Sequence, residues 1–210
     1  MLESIIELDY NVTLAINGGH TAFLDSVMQF LSASAVWIPL YVLIAAFMFI
    51  PKFCSGKSPV QNFSSTPYWI IGIIGLLAVL FCFGLTDQIS CFIKEGVQRL
   101  RPGHDPNLEG LLHLPDGKGG LYGFVSSHAA NTFALALLTS LIFRRYIYSI
   151  FMFLWAAAVS FSRIYLARHF LTDIICGALI GLIIALAIYF LWSYILKSIN
   201  KHFIKKCSAS

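Results

Sequence analysis

Between Ser162 and Asp173 the sequence reads SRIYLARHFLTD, two arginines, a histidine and an aspartate in a chain of which only 11% is charged. His169 and Asp173 stand at i and i+4. On a helix the carboxylate then lies beside the imidazole, holds one ring nitrogen protonated and leaves the other as nucleophile or base. Arg163 enters from the end of the preceding apolar run. A plainer use of the same residues is an interfacial salt-bridge belt of Arg163, Arg168 and Asp173.

Two other segments carry related chemistry. In Lys94-Glu95-Gly96-Val97-Gln98-Arg99-Leu100-Arg101-Pro102, a helix that runs on to the proline sets Lys94 and Arg101 two turns apart on one face, about 10 Å along the axis. Two long cations can then converge on one anion, although snorkelling to lipid headgroups explains the same cluster. In Gly123-Phe124-Val125-Ser126-Ser127-His128 the serines fall where a helix N-cap belongs. Free backbone N–H groups, hydroxyls and the positive dipole end form an anion site there, with His128 one residue inside. A simple cap also accounts for the serines. Together the three segments supply three cations, two histidines, one histidine-bound carboxylate and a helix N-terminus, a set that favours a tetrahedral oxyanion of about two negative charges: a phosphoryl group.

The elements that must position these residues are membrane helices. Of 210 residues 58% are hydrophobic, well above the ~45–50% of an ordinary soluble domain. A span needs on the order of 20 apolar residues. Uncharged runs cover Ser34 to Ile50, Tyr68 to Ile93 (Asp87 excepted), Ser126 to Phe143, Tyr146 to Ser162 and Ile174 to Leu196. The expected fold is all-α, a polytopic bundle of five spans in one integral domain over residues 1–210. Residues 1–33 mix apolar positions with Glu3, Glu7, Asp9, Asn17, His20 and Asp25. They are expected to form interfacial amphipathic helices broken at Asn17-Gly18-Gly19, with a sixth, short span left open.

Five crossings place residues 51–67, Arg144-Arg145 and the 197–210 tail on one side, with eight of the 14 basic residues and no acid. The positive-inside rule makes that side cytoplasmic and turns the histidines outward. The 94–125 segment becomes an outer loop over the site. The five cysteines form no C-x-x-C pair and are expected to pack. A net charge of +4 is too small to argue for nucleic acid.

The combination K-x6-R-P, a serine turn ending in histidine, and S-R-x5-H-x3-D resembles the type 2 phosphatidic acid phosphatase (PAP2) superfamily, which includes bacterial lipid phosphatases, glucose-6-phosphatase and the vanadium haloperoxidases. Lys94, Arg101-Pro102, Ser126, His128, Ser162-Arg163, His169 and Asp173 carry the resemblance. The central motif departs from the usual P-S-G-H, since Val125 and Ser127 replace the proline and glycine. The resemblance implies that His169 attacks phosphorus and becomes a phosphohistidine, that Asp173 orients its ring, and that His128 protonates the leaving oxygen. Lys94, Arg101, Arg163 and the amides near Ser126 and Ser127 would hold the phosphate oxygens, with no metal or other cofactor required.

A site at the outer interface suits a phosphate whose alcohol is anchored in lipid. The implied protein is a multi-pass phosphatase of a bacterial inner membrane, facing the periplasm, whose partners are the bilayer and a lipid phosphate, with no nucleic acid and no obligatory protein partner. Undecaprenyl diphosphate and lipid A phosphate lead the candidates, followed by phosphatidylglycerol phosphate and phosphatidic acid. A haloperoxidase, a metal hydrolase using His128, His169 and Asp173, and a transporter each explain part of the pattern. Asp87, inside the second run, is expected to pair with Lys94 or cap a polar cavity. His104, His113 and Lys118 sit in the loop, where solvation or headgroup contact both explain them. His20 and His202 have no partner at useful sequence spacing.

Overall fold

The computed structural model describes residues 2–50 and 66–208. Lys52, Cys54 and Lys57 lie outside them. The described residues form α1 (Leu2–Gly18), α2 (Ala22–Ser32), α3 (Ile38–Phe47), α4 (Tyr68–Val97), α5 (Ser127–Phe143), α6 (Tyr146–Tyr165) and α7 (Leu171–Ser208). Short 3-10 turns at Ser34–Trp37, Pro102–His104 and Pro106–Leu108 link them. There is no strand among these residues; an isolated bridge from Leu100 to Tyr122 ties together the ends of the long α4–α5 connection.

The expected apolar runs fall on helices, but they do not all cross alike. α4, α6 and Leu171–Lys205 of α7 are each long and apolar enough to span a bilayer. α2 and the segment Ser34–Phe47 qualify as one pair bent by 63°, while the apolar α5 has only 17 residues. The bend has a local cause. Ala33 is extended, and Pro39 in the first turn of α3 can neither donate an N–H nor continue a helix from the preceding turn.

α5 is the centre of the bundle and packs against α4, α6 and α7. Most of its residues are buried, which is why it is apolar all round instead of amphipathic. Its closest neighbour is α7, through Gly177 and Gly181, a small-xxx-small pair on one face. A Cβ built on Gly177 would meet the Ser126 carbonyl oxygen at 2.5 Å, and one on Gly181 the Ala130 oxygen at 2.1 Å. Only glycine permits that approach. It brings the start of α7 beside the start of α5, where the chemistry lies.

Facing outward are Leu77, Leu80 and Phe81 of α4, Leu154 of α6, and Ile183 and Phe190 of α7, an apolar surface suited to lipid. Several hydroxyls buried along these helices are satisfied within their own turns, as when Ser90 Oγ donates to the Thr86 carbonyl at 2.8 Å and Thr139 Oγ1 to Leu135 at 2.6 Å, whereas Ser140 and Ser160 have no such partner.

α1 turns its polar face inward. Asp9, Thr13 and Asn17, at i, i+4 and i+8, are buried, whereas Ile5, Ile6 and Leu8 are exposed. Asn17 Nδ2 donates to the carbonyls of His113 and Tyr165, each at 2.8 Å, and its Oδ1 accepts from His113 N at 2.8 Å. The first helix is therefore joined by polar contacts to the bundle and to the α4–α5 connection.

Replacing Gly181 by leucine must push α5 and α7 apart. Overpacking of this kind costs about 1–3 kcal/mol, so Gly181→Leu should lower the thermal midpoint of the purified protein in detergent, while Gly84→Leu, whose Cβ meets nothing within 4 Å, should leave it near wild type.

Candidate active site

The turn between α6 and α7 sets the histidine. α6 stops at Tyr165, Ala167 adopts a left-handed φ of 50°, and the chain doubles back so that His169 N donates to the Arg163 carbonyl at 3.2 Å. Asp173, in the first turn of α7, accepts from Phe170 N at 3.0 Å through Oδ2, as a third-position acid does at a helix start. The same oxygen lies 3.5 Å from His169 Nδ1. The two residues expected to pair are neighbours, with His169 just ahead of the helix rather than in it, but at this distance Nδ1 makes no hydrogen bond. Its ring is almost wholly enclosed. Burial pushes the His169 imidazole well below its usual range; Arg163, Arg101 and Lys94 push the same way, and a hydrogen bond to the Gly123 backbone opposes them. The neutral ring needed by a nucleophile is therefore the favoured form.

Ser126 caps α5, its Oγ accepting from Ala129 N at 3.4 Å. Its own N–H donates to the Asp173 carbonyl at 3.0 Å, which joins the second motif to the third. Ser127, at the position where the superfamily usually has glycine, accepts from Lys94 Nζ at 2.5 Å. His128 Nε2 lies 3.4 Å from Ser34 Oγ, in the bend between α2 and α3. Sequence reasoning missed that bend: Ser32 Oγ also bonds Arg163 Nη1.

The placing of Arg101 needs correction. α4 ends at Val97, with Gln98 left-handed at φ 53°, so Lys94 and Arg101 do not share a helix face. Arg101 instead lies on the extended return of the connection, where its N–H donates to the Leu121 carbonyl at 3.0 Å and its Nε to Tyr122 at 3.0 Å. It still reaches the same cluster, because the bridge to residues 121–123 folds it back over His169.

The salt-bridge belt does not form. Arg168 pairs with Asp116 at 2.7 Å, and Asp173 Oδ1 with Arg99 Nη1 at 2.8 Å. Arg99 also holds Asp9 at 2.7 Å. Among the described residues Lys94, Arg101 and Arg163 have no carboxylate within ion-pair distance, and Arg163 Nε is buried without a hydrogen-bond partner. Three cations beside two imidazoles, none of the three directly ion-paired, are chemically suited to receive an oxyanion. Among the described residues no group of three His, Cys, Asp or Glu is placed to hold a metal ion.

Other expectations shift. Lys94 bonds Ser127, and Asp87 forms no ion pair with it. His113 Nε2 meets Asp25 Oδ2 at 2.8 Å and its ring stacks on His20 at 3.9 Å, so His20 has a partner that its sequence spacing did not offer. His104 Nε2 lies 3.1 Å from the Gly119 carbonyl. Loop contacts, not solvation alone, explain His104 and His113. Cys82 is buried in the core but Cys91 is exposed, so packing does not account for both. Arg99 and Asp9 were overlooked. The inward stripe Asp9, Thr13, Asn17 was visible in the sequence as a helical period.

Comparison with known proteins agrees with this arrangement. The chain belongs to the PAP2 superfamily, whose family model matches residues 75–197, and it is an integral membrane phosphatase. It is 35% identical over 195 residues to the lipid A 4'-phosphatase of Porphyromonas gingivalis, covering 92% of this chain and 76% of that protein. To the lipid A 4'-phosphatase of Bacteroides thetaiotaomicron it is 32% identical over 184 residues, 86% of this chain and 75% of the other. Its fold is similar to the crystal structure of Aquifex aeolicus LpxE, with a TM-score of 0.63 at 20% identity over 85% of this chain and 93% of that one. A PAP2-type phosphatidylglycerolphosphate phosphatase from Bacillus subtilis gives a TM-score of 0.61 at 24% identity, over 95% and 87%.

If Lys94 and Arg101 hold phosphate oxygens, each lost charged hydrogen bond costs about 1.5–3 kcal/mol, roughly 10- to 100-fold in affinity. Lys94→Ala and Arg101→Ala should each raise the inhibition constant for orthovanadate, a phosphate mimic, by that factor. The control Lys118→Ala, in the exposed part of the connection, should leave it within about twofold.

Proposed function

We propose that the protein removes a phosphate from a membrane-anchored lipid, with lipid A 4'-phosphate as the substrate class, through a phosphohistidine on His169. The observation that carries this reading is the trio Lys94, Arg101 and Arg163, free of carboxylate partners, gathered around a buried His169–Asp173 pair. The names of the two curated relatives favour lipid A over undecaprenyl diphosphate.

In the first step Nε2 of His169 bonds to phosphorus as the bond from phosphorus to the lipid oxygen breaks, and His128 gives that oxygen a proton. In the second, His128 takes a proton from water, the water oxygen bonds to phosphorus, and the P–N bond breaks to release phosphate and neutral His169. Asp173 stabilises the positive charge that the His169 ring acquires between the steps. Lys94, Arg101, Arg163 and the amides at Ser126 and Ser127 hold the equatorial oxygens, where charge accumulates. The bias of Arg144, Arg145 and the tail lysines to the opposite end supports a periplasmic site in a bacterial inner membrane.

Phosphate release from purified lipids in detergent tests the reading. Lipid A should lose its 4'-phosphate, located by mass spectrometry, faster than undecaprenyl diphosphate, phosphatidylglycerol phosphate or phosphatidic acid; preference for any of these would overturn the substrate assignment. His169→Ala should bind lipid yet release no phosphate, and substantial turnover would remove His169 as nucleophile. His128→Ala should slow substrates with poor leaving groups more than those with good ones, and equal losses would remove it as the acid.

A further inference from the structure

Behind the histidine–aspartate pair lies a second layer of charge. Arg99, on the α4–α5 connection, reaches two carboxylates from different helices, through Nη1 to Asp173 Oδ1 at 2.8 Å and through Nη2 to Asp9 Oδ2 at 2.7 Å. Nη1 also meets Thr172 Oγ1 at 2.6 Å. The guanidinium carbon sits 4.3 Å from the centre of the Phe170 ring, whose other neighbour is Tyr10 at 5.7 Å. Asp9 closes the network by accepting from Thr172 N at 2.9 Å and from the Thr172 hydroxyl. Asp9, Asp173 and His169 are all buried.

We propose that Arg99 and Asp9 are positioning residues for this reaction: Arg99 fixes the plane of the Asp173 carboxylate against His169, and Asp9 keeps Arg99 from cancelling its charge. This rests on the assignment of His169 as nucleophile. A carboxylate's terminal torsion is broad, so a single contact, that of Phe170 N with Oδ2, leaves the plane of Asp173 weakly defined. With Oδ1 held by Arg99, Oδ2 stays on Phe170 N, 3.5 Å from His169 Nδ1. The charge count gives the second half. Arg99 with Asp173 alone is a neutral pair, of little help to a ring becoming positive beside the cations Lys94, Arg101 and Arg163. Two carboxylates against one guanidinium leave one net negative charge next to His169. That charge is balanced when phosphorus is bonded to the ring, the state the enzyme must stabilise.

A merely structural tie between α1 and the bundle would use the same contacts, so the test separates the two. Arg99→Ala, Arg99→Lys, Asp9→Asn and the double variant Asp9→Asn/Arg99→Ala are compared with wild type and His169→Ala in detergent. The readouts are kcat, KM, thermal midpoint and the rate of phosphohistidine formation by rapid quench. By analogy with the partners that orient metal-bound histidines, whose loss costs about 10- to 100-fold, a similar factor is expected here. Arg99→Ala and the nearly isosteric Asp9→Asn should lower kcat and phosphohistidine formation by that factor with KM within about twofold, and Arg99→Lys should recover part of the loss. The double variant should be little worse than the poorer single, because the two act as a unit. Wild-type kcat in the folded fraction of either single variant, or losses confined to thermal midpoint, would overturn the proposal while leaving His169 as nucleophile. Turnover by His169→Ala, or no phosphohistidine in wild type, would bring down the nucleophile and this proposal together.

Discussion

Like charges repel, and the site depends on holding three of them together. Lys94, Arg101 and Arg163 come from α4, from the α4–α5 connection and from α6, and each is tethered by a neutral group: Ser127, the Tyr122 carbonyl and Ser32 respectively. None of those tethers offsets the charge. The repulsion is carried by the packing of the bundle, and a phosphate held there, as proposed, would relieve it.

Helix packing supplies the tethers. The Gly177–Gly181 seam lets α7 approach α5 until the Asp173 carbonyl accepts from Ser126 N, so the histidine of the second motif and the pair of the third occupy one end of the bundle. The bend after α2 brings Ser32 and Ser34 to Arg163 and His128 from a helix pair remote in sequence. A straight helix there would carry those serines elsewhere. The long connection closes the other side, with Arg168 fastened to Asp116 and His113 to Asp25.

The first helix shows the cost of polar groups in such a bundle and how it is met. Buried Asn17 is satisfied on both its amide oxygen and nitrogen, and Asp9 on both carboxylate oxygens. A buried carboxylate without such partners would be expensive. Val12 and Ile16 of α1 pack against Ala129, Ile164 and Ile174, while Ile5, Ile6 and Leu8 face outward beside Glu3 and Glu7.

The sequence alone determined the helical membrane class and the apolar runs, because hydrophobic length is a local property, and through its motifs it proposed Lys94, Ser126, His128, Arg163, His169 and Asp173 as the chemical residues. The His169–Asp173 pair needed no more than a separation of four residues. Tertiary structure alone decided how Arg101 arrives, since the left-handed turn at Gln98 breaks the helix before the proline. It also decided that Arg99 faces two carboxylates, that His20 stacks on His113, and that Ser32 and Ser34 enter the site. Those contacts join residues about 70 to 160 positions apart. No periodicity encodes a meeting at that distance; it follows from which helix faces can pack closely, and here two glycines on α7 settle that.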